Sequence, residues 1–231
     1  MELMTIIIIS ILLLIILSII FKINLKKIKE IGMDEKLNKL CEKYPSNTVI
    51  CTEILKKLNN NTTIIEENNE GTTTLYIAIT DKISIADTKN SYTRIQTMAH
   101  ECLHSIQDRR ILMFNFIFSN IYIIYYLGIL ILTVLKLVNN SLLYLNIFFL
   151  LSLVYYMVRV FLENDAMLKA KYLAKEYMEE KNISSQEEIK QIVDGFTRLN
   201  DLGIKTVNYQ LFLEILIKAI IFSIVALIFW A

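Results

Sequence analysis

Four long runs of apolar residues limit what this chain can fold into: Met4–Phe21, Ile111–Val138, Ser141–Val160 and Leu211–Trp230. Each is long enough to cross a hydrocarbon core of about 30 Å as a helix. Charge is almost excluded from them. The 231 residues carry 24 Lys and Arg against 23 Asp and Glu, and 22 of the 24 basic residues lie within 22–110 and 159–210. A nearly balanced charge with no basic block gives no reason to expect a nucleic-acid partner. The expected fold is mainly α, an integral membrane protein with about four transmembrane helices set in a lipid bilayer.

The basic residues also suggest an orientation. Lys22, Lys26, Lys27 and Lys29 follow the first run, Arg109 and Arg110 precede the second, and Arg159, Lys169, Lys171 and Lys175 follow the third. Excess Lys and Arg mark cytoplasmic segments, so the N-terminus and the chain end are expected outside. The first run has neither a basic n-region nor a small-residue cleavage site, so it reads as an uncleaved anchor over 1–24. A cytoplasmic region (25–110), a transmembrane hairpin (111–160), a cytoplasmic helical region (161–210) and a C-terminal transmembrane helix (211–231) then follow. Glu214 and Lys218 fall inside the last run, where their i, i+4 spacing allows a pair near the cytoplasmic end. A helix lying on the membrane surface is the other reading of that run.

Within 25–110, Leu25–Lys43 reads as an amphipathic, Lys-rich helix, Pro45 interrupts, and Thr48–Leu58 forms a second helix that Asn59–Asn61 break. Thr62–Ile65 and Thr72–Thr80 flank Glu66–Gly71, whose Asn-Asn-Glu-Gly stretch is a turn signal, so these segments are expected to pair as a hairpin. Leu75, Ile77 and Ile79 alternate with Thr74, Tyr76 and Ala78, the period of a half-buried strand. Ser91 reads as the N-cap of the next helix. That helix is expected to bury Ile95, Met98, Ala99, Cys102, Leu103 and Ile106.

The same helix carries the two histidines of the chain. His100-Glu101-Cys102-Leu103-His104 is an H-E-x-x-H pattern, and a helix brings positions i and i+4 to one face. Two imidazoles there can share one Zn2+, while Glu101 reaches a water on the ion as general base. Cys102 points about 200° round the helix from His100 and reads as core packing. Cys41, Cys51 and Cys102 form no C-x-x-C pair, and a disulfide framework is not expected. A catalytic zinc needs three protein ligands, so a carboxylate or thiolate must complete the set. The best candidate follows the third apolar run. Glu163 shares its helix face with Ala166, Met167 and Ala170, and the alanines allow a close approach to the motif helix. Asp165 shares its face with the bulkier Leu168, Lys169 and Tyr172, and reads as a solvated or outer carboxylate.

His100-Glu101-x-x-His104-x-x-Gln107, followed across two spans by Glu163-x-Asp165-Ala166-x-x-x-Ala170, resembles the YugP-like family of membrane-bound neutral zinc metallopeptidases. The arrangement is also similar to the Glu-zincin membrane proteases of the HtpX type. The likeness covers about Leu75–Tyr172 with the flanking spans, and departs from the family at Leu103 and Met167. It implies a small α+β zincin-like catalytic region at the cytoplasmic face of a prokaryotic plasma membrane. It further implies Zn2+ on His100, His104 and Glu163, Glu101 as the catalytic base, and Gln107 and Asp165 as possible supports behind the ligands. The substrate would be a peptide or a membrane protein, with Thr72–Thr80 as an edge for an extended segment. Tyr172 or a backbone amide would face the developing oxyanion. A catalytically silent zinc-binding scaffold, or a regulator that holds peptides without cutting them, is the alternative. Glu101 speaks against it, because a structural metal site has no use for a general base.

Overall fold

The chain is described here from a computed structural model covering residues 2–68, 70, 71, 73–86 and 91–230. Asn69 and Thr72, which belong to the expected turn and strand, lie outside the described residues. The elements are α1 (Glu2–Phe21), α2 (Leu25–Gly32), α3 (Glu35–Cys41), α4 (Asn47–Lys57), β1 (Ile64–Asn68), β2 (Leu75–Ile77), β3 (Lys82–Ala86), α5 (Arg94–Ser105), α6 (Arg109–Val134), α7 (Ser141–Lys181) and α8 (Gln186–Trp230). The protein is mainly helical with one three-stranded sheet. Among the described residues four helices are long and apolar enough to cross a membrane, and they cover the four apolar runs except for Leu135–Val138, which follow the end of α6.

The residues fall into two compact units. The first comprises the N-terminal stretch to Ile23, Phe114–Val160 and the chain from Lys205 on. Tyr122, Phe148 and Phe222 fill its centre, with Ala219 and Ala226 as small neighbours and Leu3 and Ile6 of α1 packed against them. The Tyr122 ring stacks on Phe148 and Tyr155, with centroids 5.5 and 4.8 Å away. Small side chains let helices approach closely where no hydrophobic drive separates them from lipid. Glu214 and Lys218 form the expected i, i+4 ion pair, and the Lys218 ammonium also lies 4.6 Å from the centre of the Tyr122 ring. α1 is apolar all round, with Ile8, Leu12, Ile15 and Ile19 exposed, the pattern of a span rather than of an amphipathic helix.

The second unit, Asn24–Met113 with Phe161–Ile204, holds the sheet and α5. Here the expected helix Leu25–Lys43 is two helices. Asp34 accepts the N–H groups of Lys36 and Leu37 and so starts α3 anew, a cap worth about 1 kcal/mol that a continuous helix would forgo. The expected pairing of the first two strands is also corrected. The strand order is β1-β3-β2, with β1 parallel and β2 antiparallel to β3. The alternating stretch stops at Ile77, turns through Ala78–Asp81 and returns as β3, so the hairpin joins β2 to β3. Asp81 makes that turn at φ +48°, a left-handed conformation that Asp tolerates better than most residues. β3 is the central strand because Ile83, Ile85 and Ala86 are all buried, whereas β1 is largely exposed.

Two details at α5 also differ from expectation. Its N-cap is Thr93, which makes no side-chain cap bond; the Ser91 hydroxyl, 2.7 Å from that of Thr93, accepts the Thr93 N–H at 3.2 Å just ahead of the helix. Ile106 lies past the last helical residue and is exposed, while Ile95, Met98, Ala99, Cys102 and Leu103 are buried as expected. Arg94 opens the helix and is buried, with no carboxylate partner among the described residues. Its guanidinium donates to the carbonyls of Cys41, Tyr44 and Pro45 at 2.6–2.8 Å and to Asn47 Oδ1 at 3.1 Å, tying the end of α3 to the start of α4. α4 is pinned to α7 by Glu53, which accepts from Tyr177 Oη at 2.7 Å and pairs with Lys181, and by Lys57, which reaches Glu176 and Glu180. Gly195 lets α8 approach, because a Cβ there would stand 2.6 Å from Leu37 Cδ1 and 3.1 Å from the Tyr92 ring.

Candidate metal centre

α5 and α7 bring His100, His104 and Glu163 together. The two histidines follow from their four-residue spacing, and their Nε2 atoms are 3.0 Å apart. Glu163 Oε2 lies 3.5 Å from His100 Nε2 and 3.7 Å from His104 Nε2. An ion bound tetrahedrally at about 2.0–2.1 Å would set its ligand atoms about 3.3 Å apart. The three measured edges bracket that value, so the residues fit a divalent ion. α7 reaches α5 on the face where Ala166 and Ala170 are fully buried. A larger side chain at either position would hold the carboxylate away from the imidazoles.

Gln107 decides how His104 is presented. Its Nε2 donates to the Leu162 carbonyl at 2.9 Å and to Asp165 Oδ2 at 3.3 Å. Both partners are acceptors, so the amide oxygen must point the other way, and it meets His104 Nδ1 at 2.8 Å. Nδ1 therefore carries the proton in the neutral ring, and the Nε2 lone pair is left for a ligand. Burial works against a charged His104, but Glu163 and Gln107 outweigh it and raise its pKa.

Asp165 does not join the triangle. It faces Gln107 through one oxygen and Lys169 through the other, at 2.5 Å. Lys169 is the main reason its carboxyl ionises below the usual range, with Gln107 adding to the effect. Tyr172 is placed away from the site: nine residues beyond Glu163 it is turned about 180° on a regular helix, and it is 66 % exposed.

Glu101 stands beside the triangle without entering it, with Oε1 4.0 Å from His100 Nε2. It is 8 % exposed, and burial pushes its carboxyl above the ordinary value against the pull of both histidines and the Tyr76 N–H. That N–H donates to Glu101 Oε2 at 2.7 Å. Reading residues could not reveal this contact, because a backbone donor leaves no mark in the side-chain pattern. Cys102, on the far side of α5, is fully buried with its Sγ 3.5 Å from that of Cys51. Comparison of the chain with known protein families, with curated proteins and with solved structures finds no match.

Proposed function

We propose that this protein is a membrane-bound, zinc-dependent metallopeptidase with His100, His104 and Glu163 as ligands and Glu101 as the general base. The observation that carries the reading is a buried carboxylate held next to a three-ligand triangle but outside it. A structural zinc site is closed by four protein ligands, whereas a catalytic one uses three and keeps a position open. The zincin-like motif order and the resemblance to neutral zinc metallopeptidases support the same assignment.

Zinc, when bound, would lower the pKa of a coordinated water to about 7 and polarise a scissile carbonyl. Glu101 takes the proton of the attacking water and returns it to the leaving amine, a task for which a carboxyl shifted upward by burial is suited. His104 is kept in the ligating tautomer by Gln107, and Asp165 steadies Gln107. The Tyr76 amide of β2 is already engaged by Glu101, so an extended peptide would lie alongside Glu101 rather than pair with that strand. The site is proposed to face the cytoplasm of a prokaryotic cell, with four transmembrane helices anchoring it to the bilayer and membrane proteins or unfolded segments as substrates.

The test is cleavage of an unstructured peptide by the detergent-purified protein, with metal content measured on the same sample. The wild type should cleave and lose activity to a chelator, and zinc should restore it. Glu101→Gln should retain zinc and lose cleavage by about 100-fold or more. Zinc binding without cleavage in the wild type would favour the silent scaffold instead.

A further inference from the structure

Glu101 is aimed from outside its own helix. Among the described residues, the hydrogen bond donated to its carboxylate comes from the Tyr76 N–H, the middle residue of β2. In the antiparallel ladder Leu75 faces Ser84, Tyr76 faces Ile83 and Ile77 faces Lys82. Alternate residues of such a strand turn their N–H and C=O toward the partner strand, and those between turn away. Tyr76 is one of the latter, so its amide lies on the free edge of the sheet. An edge residue of a three-residue strand is a soft support for a buried carboxylate.

The side chain of Tyr76 removes that softness. Its hydroxyl donates to Asp81 Oδ1 at 3.1 Å, on the same face of the hairpin. Asp81 is in turn fixed from several directions. It accepts from Thr62 Oγ1 at 2.8 Å and Thr63 Oγ1 at 2.7 Å, and its own carbonyl accepts the Ile64 N–H at 2.9 Å. One carboxylate thus joins the β2–β3 turn, the entry to β1 and the Tyr76 ring. The backbone N–H groups of Thr62 and Thr63 are themselves held by Asn60 Oδ1.

We propose that Asp81 and Tyr76 are positioning residues for Glu101: the hairpin, braced at Asp81, holds the Tyr76 amide that aims the carboxylate at the metal triangle. The catalytic consequence rests on the peptidase reading, while the positioning itself does not. Neither side chain touches a ligand of the ion.

The experiment uses the full chain in detergent and two readouts. Tyr76→Phe removes one hydroxyl and keeps the amide, and Asp81→Asn keeps a residue tolerant of the left-handed turn. Amide hydrogen exchange at position 76, followed by NMR with 15N-labelled Tyr or Phe, should be slow in the wild type. It should speed up about tenfold in Glu101→Ala, in Tyr76→Phe and in Asp81→Asn. In peptide cleavage both single variants should lower kcat by about 10- to 100-fold with KM and zinc content unchanged. The double variant should cost less than the sum of the two single ones, because the Tyr76 hydroxyl acts through Asp81. Unchanged exchange at position 76 in Tyr76→Phe and Asp81→Asn overturns the proposal, whether or not the protein cleaves. Faster exchange with unchanged kcat in a cleaving wild type overturns its catalytic part. A wild type that cleaves nothing defeats the peptidase reading and leaves the exchange data to decide the positioning.

Discussion

His104 Nδ1 and Gln107 Oε1 lie 2.8 Å apart, and the direction of that bond is dictated by the other end of the amide, which donates to Leu162 and Asp165. Replacing Gln107 with Leu should therefore free the His104 ring to take either tautomer. Zinc affinity is expected to fall about 10- to 100-fold, the usual cost of losing a group behind a ligand. Competition with a metallochromic chelator measures it; affinity equal to wild type would show that Gln107 does not orient the ring.

Glu163 and Asp165 should behave differently although two residues separate them. Glu163→Ala removes one corner of the triangle, so its loss of affinity should exceed that of the Gln107 variant. Asp165→Asn acts only through Gln107 and should cost no more than about tenfold. Metal content of the two purified variants, dialysed side by side, decides the ranking.

The basic residues predict an external loop at Asn139–Asn140, between α6 and α7. A reporter inserted there should score as external, and one inserted at Asn61 as cytoplasmic. The opposite result at Asn61 would move the metal centre to the other side of the membrane.

Glu53 supplies a pH test of the clamp between α4 and α7. Burial opposes its charge, but hydrogen bonds from Lys181 and Tyr177 prevail, and the carboxyl ionises below its usual value. A depressed pKa contributes stability that is complete above the unfolded value of about 4.3 and is lost as pH falls through the folded one. Because the pair is partly exposed, Glu53→Gln should lower the melting midpoint at neutral pH by only about 1–3 °C. The gap between variant and wild type should narrow as the pH drops from about 5 toward 3.

Much of this architecture could be read from residues alone, for identifiable reasons. The apolar runs are legible because membrane helices need length and little else, and α1, α6, α7 and α8 cover them apart from Leu135–Val138, beyond the end of α6. The pairing of His100 with His104 needs only a helix, and the face of Glu163 is marked by Ala166 and Ala170. β3 was hidden because its turn is made by Asp81 without Gly, Pro or Asn, so the alternation seemed to run on to Thr80. The break before α3 is signalled by Asp34, but Lys-rich amphipathicity on both sides masks it. The hold of Tyr76 on Glu101 depends on which backbone groups the strand register leaves free, and that is fixed only when β2 pairs with β3.

Leu162 and Glu163 are successive residues of α7: one holds the amide that sets His104, and the other supplies the carboxylate. If this stretch of α7 leaves α5, the tautomer and the third ligand are lost in the same event. Ion uptake and the seating of that stretch are then thermodynamically linked. By mass action, free ion at about 100 times its dissociation constant would stabilise the seated arrangement by about 2.7 kcal/mol. How tightly these two helices grip each other would accordingly follow the supply of metal around the protein.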